Sequence, residues 1–137
     1  DMALYHFTDN RNINSIKKFG LLSWPLIDSY GIEAIKGSNP LSRELDKRKG
    51  FEEYVRLALK PYHPMLNYCL RDGRIESAIW LTIDEGVLDI PGVYYSNTNA
   101  AANRATINQD PNNAFNGEYD AEILIPIKIA TNFILNI

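Results

Sequence analysis

In Asp120-Ala121-Glu122-Ile123-Leu124-Ile125 the carboxylate of Glu122 opens an apolar run in which a charge needs a reason. Three consecutive large aliphatics read as a central strand that is at least half buried. A carboxylate on such a strand is costly unless a cation or hydrogen-bond donors meet it. The fold must therefore bring partners to Glu122, or else place the strand at a sheet edge with the glutamate in water. Both readings are open from the sequence.

At 137 residues, 45% of them hydrophobic, the chain fits one domain, 1–137, with a real core. No apolar run approaches the ~20 residues of a membrane span. Asp9, Arg11, Lys17 and Lys18 interrupt residues 1–25, so no signal peptide is expected there. One cysteine, Cys69, permits no internal disulfide, which makes a reducing cytoplasm the default. The net charge of −3 argues against indiscriminate nucleic-acid binding, but it is unevenly spread. Residues 1–74 balance at +3 and residues 75–137 at −6, which leaves room for a local basic groove in the first half.

Residues 2–8 read as a strand, and Thr8-Asp9-Asn10 offers a helix N-cap. Ile13, Ile16 and Phe19 follow at helical spacing up to Gly20, and 21–25 resumes an extended path. Ile32, Ala34 and Ile35 suggest a helical turn, and 42–49 is a charged, solvated stretch. Strands are expected within 51–59, 75–83, 92–96, 121–129 and 133–137, a helix over 64–70 stopped by Gly73, and a helical turn at 84–88. Residues 97–119, with seven asparagines, read as a long loop containing about one helical turn near 99–104. Short strands with two or three helices make an α+β domain.

Several chemistries are excluded. There is no Gly-x-Gly-x-x-Gly, no phosphate loop and no Gly-x-Ser-x-Gly. One cysteine and two histidines cannot build a structural zinc site, so no metal is expected. What remains is a set of scattered candidates. His6 and Thr8 share a strand face and can present a ring nitrogen and a hydroxyl to a ribose, although a lone strand histidine is more often structural. Arg56, inside an apolar strand, needs a partner: a phosphate, a base edge, or Glu52 or Glu53. In Pro61-Tyr62-His63-Pro64-Met65 two prolines project Tyr62 and His63 in fixed directions, or simply make a rigid connection.

The order of these segments resembles the DarT family. Leu4-Tyr5-His6-Phe7-Thr8 with Ile16 and Gly20-Leu21-Leu22, then Pro64-Met65-Leu66, Asn97-Thr98-Asn99-Ala100 and Ala121-Glu122-Ile123-Leu124-Ile125, follow that family's sequence over nearly the whole chain. The resemblance implies an ADP-ribosyltransferase-like fold, with small mixed or antiparallel sheets around an NAD cleft and a few flanking helices. It also implies transfer of ADP-ribose from NAD, a co-substrate, to a base of single-stranded DNA. Such an enzyme is the toxin of a toxin–antitoxin pair, whose antitoxin is an ADP-ribosyl-DNA hydrolase. It would act in the cytoplasm as a monomer, away from membranes.

Carried over residue by residue, Glu122 is the catalytic glutamate, and His6 anchors NAD with Thr8 beside the nicotinamide ribose. Phe7 and Tyr94, with Tyr5 and Tyr95 as further candidates, are expected to stack on nicotinamide. Arg56 and His63 are expected to assist catalysis. Tyr62, Phe115 and Tyr119 are expected to hold the DNA base. Thymidine-modifying members carry Pro-Arg-Ser-Pro-Met where this chain has Pro61-Tyr62-His63-Pro64-Met65, so the arginine falls on Tyr62, which favours guanine over thymine as the target. The competing readings are the same chemistry on RNA or protein, and a catalytically dead module that binds NAD or a partner.

Overall fold

The computed structural model describes residues 2–35, 50–62 and 64–137. The expected charged stretch at 42–49 and His63 lie outside them. The chain opens with β1 (Ala3–Asp9), a 3-10 turn (Asn10–Asn12), α1 (Ile13–Phe19), β2 (Leu21–Leu22) and α2 (Trp24–Ser29). There follow β3 (Tyr54–Ala58), α3 (Pro64–Arg71), β4 (Ala78–Asp84), a 3-10 turn (Glu85–Asp89), β5 (Tyr94–Ser96), β6 (Ile107–Asn108) and α4 (Pro111–Phe115). β7 (Glu122–Pro126), β8 (Lys128–Ile129) and a 3-10 turn (Thr131–Phe133) complete it.

The main sheet runs in the order β4-β1-β3-β7-β5-β6, and each neighbouring pair is antiparallel. β2 and β8 form a separate two-stranded ladder. One face of the main sheet carries Leu4, Leu57, Leu81, Ile83, Ile123 and Ile125, all fully buried, and these form the core. Leu124 is equally buried on the opposite face, so β7 is covered on both sides, as its unbroken apolar run requires.

Gly20 ends α1 with φ +84, donating to the Ile16 carbonyl at 2.8 Å. A Cβ at this position would collide with the Ile129 carbonyl of β8, so the glycine also permits the close approach of α1 to the second sheet. The 121–129 run is broken into two strands by Ile127, a β-branched residue at φ +69. Its N–H donates to the Glu53 carbonyl at 2.7 Å and its carbonyl accepts from Ser23 N–H at 2.9 Å. These bonds hold the bend and tie the start of α2 to the start of β3.

Four local expectations are corrected. Trp24 and Pro25 begin α2 rather than extend a strand, because proline's fixed φ suits a helix's first turn. Residues 32–35 are not helical; the Asn12 side chain takes up the main-chain groups of Ile35 instead. The 97–119 segment is more ordered than a loop: β6 pairs with β5, and Asp110 caps α4. Residues 133–137 form no strand beyond an Ile83–Ile134 bridge. There Asn136 stands in for strand main chain, accepting from Thr82 N–H at 2.9 Å and donating to the Trp80 carbonyl at 3.0 Å.

Candidate active site

The sheet opens where β1 meets β3. β1 pairs with β4 along seven residues, but with β3 only at Tyr5–Ala58. Main-chain bonds fix which way each strand faces. Asn10 N–H donates to the Ser77 carbonyl, so even residues of β1 bond toward β4 and odd ones turn toward β3. Ile127 N–H donates to Glu53, so odd residues of β3 bond toward β7 and even ones turn toward β1. A regular ladder would next pair Phe7 with Arg56. Instead, His6 Nδ1 lies 2.9 Å from the Arg56 carbonyl. The imidazole takes the place of a ladder bond, and the strands part.

A cavity of about 210 Å³ occupies this opening. Its walls include Tyr5, His6, Phe7 and Thr8 in succession, so the edge of β1 borders it rather than one face. Tyr54, Arg56 and Ala58 of β3 and Glu122 of β7 form the facing wall. Leu22, Trp24 and Ile27 from β2 and α2, with Ile32 and Ile35, close the apolar end.

Ala58, Glu122 and Ser96 stand directly opposite one another across β3, β7 and β5, and therefore share a sheet face. Arg56 lies one diagonal step away on that face, and its Nη1 is 3.7 Å from Glu122 Oε1. The same oxygen accepts the Ala100 N–H at 2.7 Å. The buried glutamate is thus met by a cation and a main-chain donor, which meets the requirement its position imposes. Among the described residues, the ion pair of Arg56 is with Glu122 rather than with Glu52 or Glu53.

The turn that supplies Ala100 is itself held from below. Thr98, fully buried, donates to Asp120 Oδ1 at 2.7 Å and accepts from Arg104 Nη2 at 3.0 Å, while Ser96 Oγ donates to the Thr98 carbonyl at 2.7 Å. At the far end of β1 the Arg11 guanidinium holds the Asp9 carboxyl well below the usual carboxylate range.

The tautomer of His6 follows from its partner. A carbonyl can only accept, so the proton sits on Nδ1 and Nε2 keeps a lone pair. Burial lowers the imidazole pKa and outweighs both that hydrogen bond and the charge of Glu122, which pull upward. His6 is a neutral acceptor at neutral pH.

The structure brings His6, Phe7, Thr8, Arg56 and Glu122 to one cavity. It places four of the expected site residues outside that cavity. Tyr94 lies outside the cavity lining, in an aromatic cluster with Phe51 and Tyr54, because its strand is separated from β1 by β7 and β3. Phe115 packs against Tyr95 at the edge of the core, so its ring is engaged internally. Tyr62 and Tyr119 do not line the cavity either, but they are half exposed and in contact with each other, with ring centroids 6.3 Å apart. They continue the two strands joined at Ala58–Glu122, beyond the end that carries the glutamate. Asn12, Trp80 and the Ala100 N–H were not singled out from the sequence. Trp80 holds Phe7 edge-on at 5.4 Å across β1 and β4, a pairing that strand register alone can reveal.

Among the described residues, no group of three His, Cys, Asp or Glu side chains could hold a metal ion. No described helix is long and apolar enough to cross a membrane.

A family model described as "ssDNA thymidine ADP-ribosyltransferase, DarT" matches residues 5–125. No curated protein sequence matches the chain. Among solved structures, Thermosipho africanus DarTG in complex with ADP-ribose superimposes with a TM-score of 0.78 at 21% identity, over 98% of this chain and 43% of that one. Thermus sp. 2.9 DarT in complex with ADP-ribosylated ssDNA gives 0.74 at 14% identity, over 97% of this chain and 78% of that one. The same protein with carba-NAD+ gives 0.69 at 15% identity, over 97% and 79%. At these identities the structures establish the fold. The chain spans less than half of the Thermosipho chain and about four fifths of the Thermus one.

Proposed function

The chain belongs to the DarT family, and from that premise we propose that it transfers ADP-ribose from NAD to a base of single-stranded DNA. The observation that carries the proposal is the buried Glu122, held by Arg56 and the Ala100 N–H, in one cavity with a neutral His6. The cavity is smaller than the ~300–1,000 Å³ of sites that enclose a whole ligand, which suits one end of a dinucleotide. Solved members of the fold are complexes with NAD+, carba-NAD+ and ADP-ribosylated ssDNA.

In the proposed reaction the bond between ribose C1′ and the nicotinamide nitrogen breaks, and nicotinamide leaves with the electron pair. Positive charge develops on the ribose. Glu122, accepting a hydrogen bond from the 2′-hydroxyl, stabilises that charge more in the transition state than in the ground state. His6 Nε2 accepts from a ribose hydroxyl and Thr8 lies beside it, so the sugar is held in one orientation. A nitrogen of the DNA base then bonds to C1′ through its lone pair and releases its proton to water. Arg56, with Nη1 3.7 Å from Oε1, holds the carboxylate of Glu122 in place. Tyr62 and Tyr119, exposed beyond the glutamate end of β3 and β7, offer π-faces for an unpaired base. His63, next to Tyr62 in the sequence, is kept as a candidate helper.

We further propose that residues 1–137 act as one DarT-like domain in the cytoplasm, where NAD and DNA are both present. Its regulator would be an antitoxin that removes ADP-ribose from DNA. Incubation with labelled NAD and single-stranded DNA, RNA or a cell lysate tests the reading: label in the DNA supports it, and label only in RNA or protein opposes it.

A further inference from the structure

Asn12 is a buried asparagine whose side chain reaches two pieces of the cavity wall at once. Its Oδ1 accepts the Ile35 N–H at 2.8 Å, and its Nδ2 donates to the Ile35 carbonyl at 2.8 Å and to Thr8 Oγ1 at 3.0 Å. The polarity of the Ile35 main chain leaves no freedom in this arrangement. An N–H requires the amide oxygen and a carbonyl requires the amide nitrogen, so the atom beside Thr8 must be Nδ2. Thr8 Oγ1 is therefore an acceptor toward Asn12, and its hydroxyl hydrogen is left to be donated elsewhere. Thr8 itself lines the cavity.

We infer that Asn12 is a positioning residue of the nucleotide site: it holds the 32–35 segment against β1 and turns the Thr8 hydroxyl into a donor toward the bound ligand. This rests on the NAD reading of the cavity. His6 Nε2 and Thr8 Oγ–H then form a complementary pair, one accepting and one donating. Two residues apart on β1, they match a sugar diol, in which each hydroxyl can both donate and accept. Asn12 touches no reacting atom. It acts through Thr8 and the wall, so its loss should appear in nucleotide affinity rather than in the chemical step.

Calorimetric titration with carba-NAD, which is not turned over, tests this on the full chain. Asn12→Ala is expected to weaken binding roughly tenfold, the loss of about one oriented hydrogen bond plus a loosened wall. KM for NAD should rise while kcat at saturating NAD stays within about threefold. Thr8→Val should lose a comparable part of the affinity and Thr8→Ser should keep it. The Asn12→Ala/Thr8→Val double variant should bind no more weakly than Asn12→Ala alone. Unchanged affinity in Asn12→Ala, or single losses that multiply in the double variant, overturns the inference. If Asn12→Ala does not fold, the Thr8 pair decides: Thr8→Val binding as tightly as the unaltered chain overturns it, and loss in Val with retention in Ser supports it. An unaltered chain that fails to bind carba-NAD overturns the NAD reading, and this inference with it.

Discussion

His6 donates through Nδ1 to the carbonyl of Arg56 at 2.9 Å, at the step where the ladder between their strands stops. One hydrogen bond thus marks the opening of the sheet, fixes the imidazole tautomer and ties the histidine to the strand whose guanidinium meets Glu122.

Glu122→Gln should fold and lose transfer by about 100-fold or more, the scale of removing one transition-state electrostatic contact. The amide oxygen can still accept the Ala100 N–H, so the turn at 97–104 keeps its anchor. Matching melting curves beside transfer rates check this, and a variant with most of its activity would remove Glu122 from the mechanism.

The lowered pKa of His6 makes stability depend on pH in a definite direction. The unfolded chain takes up a proton near the ordinary histidine value of about 6.5, and the folded chain resists protonation until a lower pH. Stability is therefore full above the unfolded value and is lost as pH falls below it toward the folded one. Between pH 7.5 and 5.5 the melting temperature should drop more for the unaltered chain than for His6→Gln. Protonation of the folded chain also removes the Nε2 acceptor, so NAD affinity should hold through the unfolded histidine value and fall only at the lower pH where the buried ring takes up its proton. Parallel slopes for the two proteins would assign the pH dependence to another group.

Ile127→Asn should raise stability by about 1 kcal/mol, because asparagine tolerates the left-handed region that costs a β-branched residue about that much. Ile127 is exposed, so the change sacrifices little burial, and its two main-chain bonds remain. A melting temperature at or below that of the unaltered chain would show that the bend stores no relievable strain.

Much of this was legible in the sequence, for physical reasons that differ by element. The β7 run read as buried, where a carboxylate needs partners, or as an edge with Glu122 in water; the burial of Glu122 decides for the first. Gly20 and Gly73 marked helix ends because their conformations are specific. Arg56 was recognised as needing a partner, but the choice of Glu122 over Glu52 or Glu53 depends on strand register, which local sequence does not encode. Tyr94 was misplaced for the same reason: strand order puts β7 and β3 between it and β1. Asn12 carried no signal, since an asparagine near a helix start looks like a cap. Its value arises from Ile35, 23 residues away.

We propose that Tyr62 bears on the target base, because the resemblance sets it where thymidine-modifying members carry arginine. Without a permanent cation there, a phenol that can accept suits the exocyclic amine of guanine better than it assists deprotonation of thymine. Oligonucleotides of G and A should take up more label than oligonucleotides of T and A. Labelling of the T and A set alone would show that Tyr62 does not redirect the enzyme, in keeping with the thymidine named for the family.

Mass spectrometry of a short mixed-sequence single-stranded oligonucleotide after reaction with NAD reads transfer of ADP-ribose to a DNA base without a label. The expected product is heavier by one ADP-ribose, with the added mass on a base, and is missing with Glu122→Gln. An unmodified oligonucleotide, from a folded chain that binds NAD, would contradict the proposed transfer.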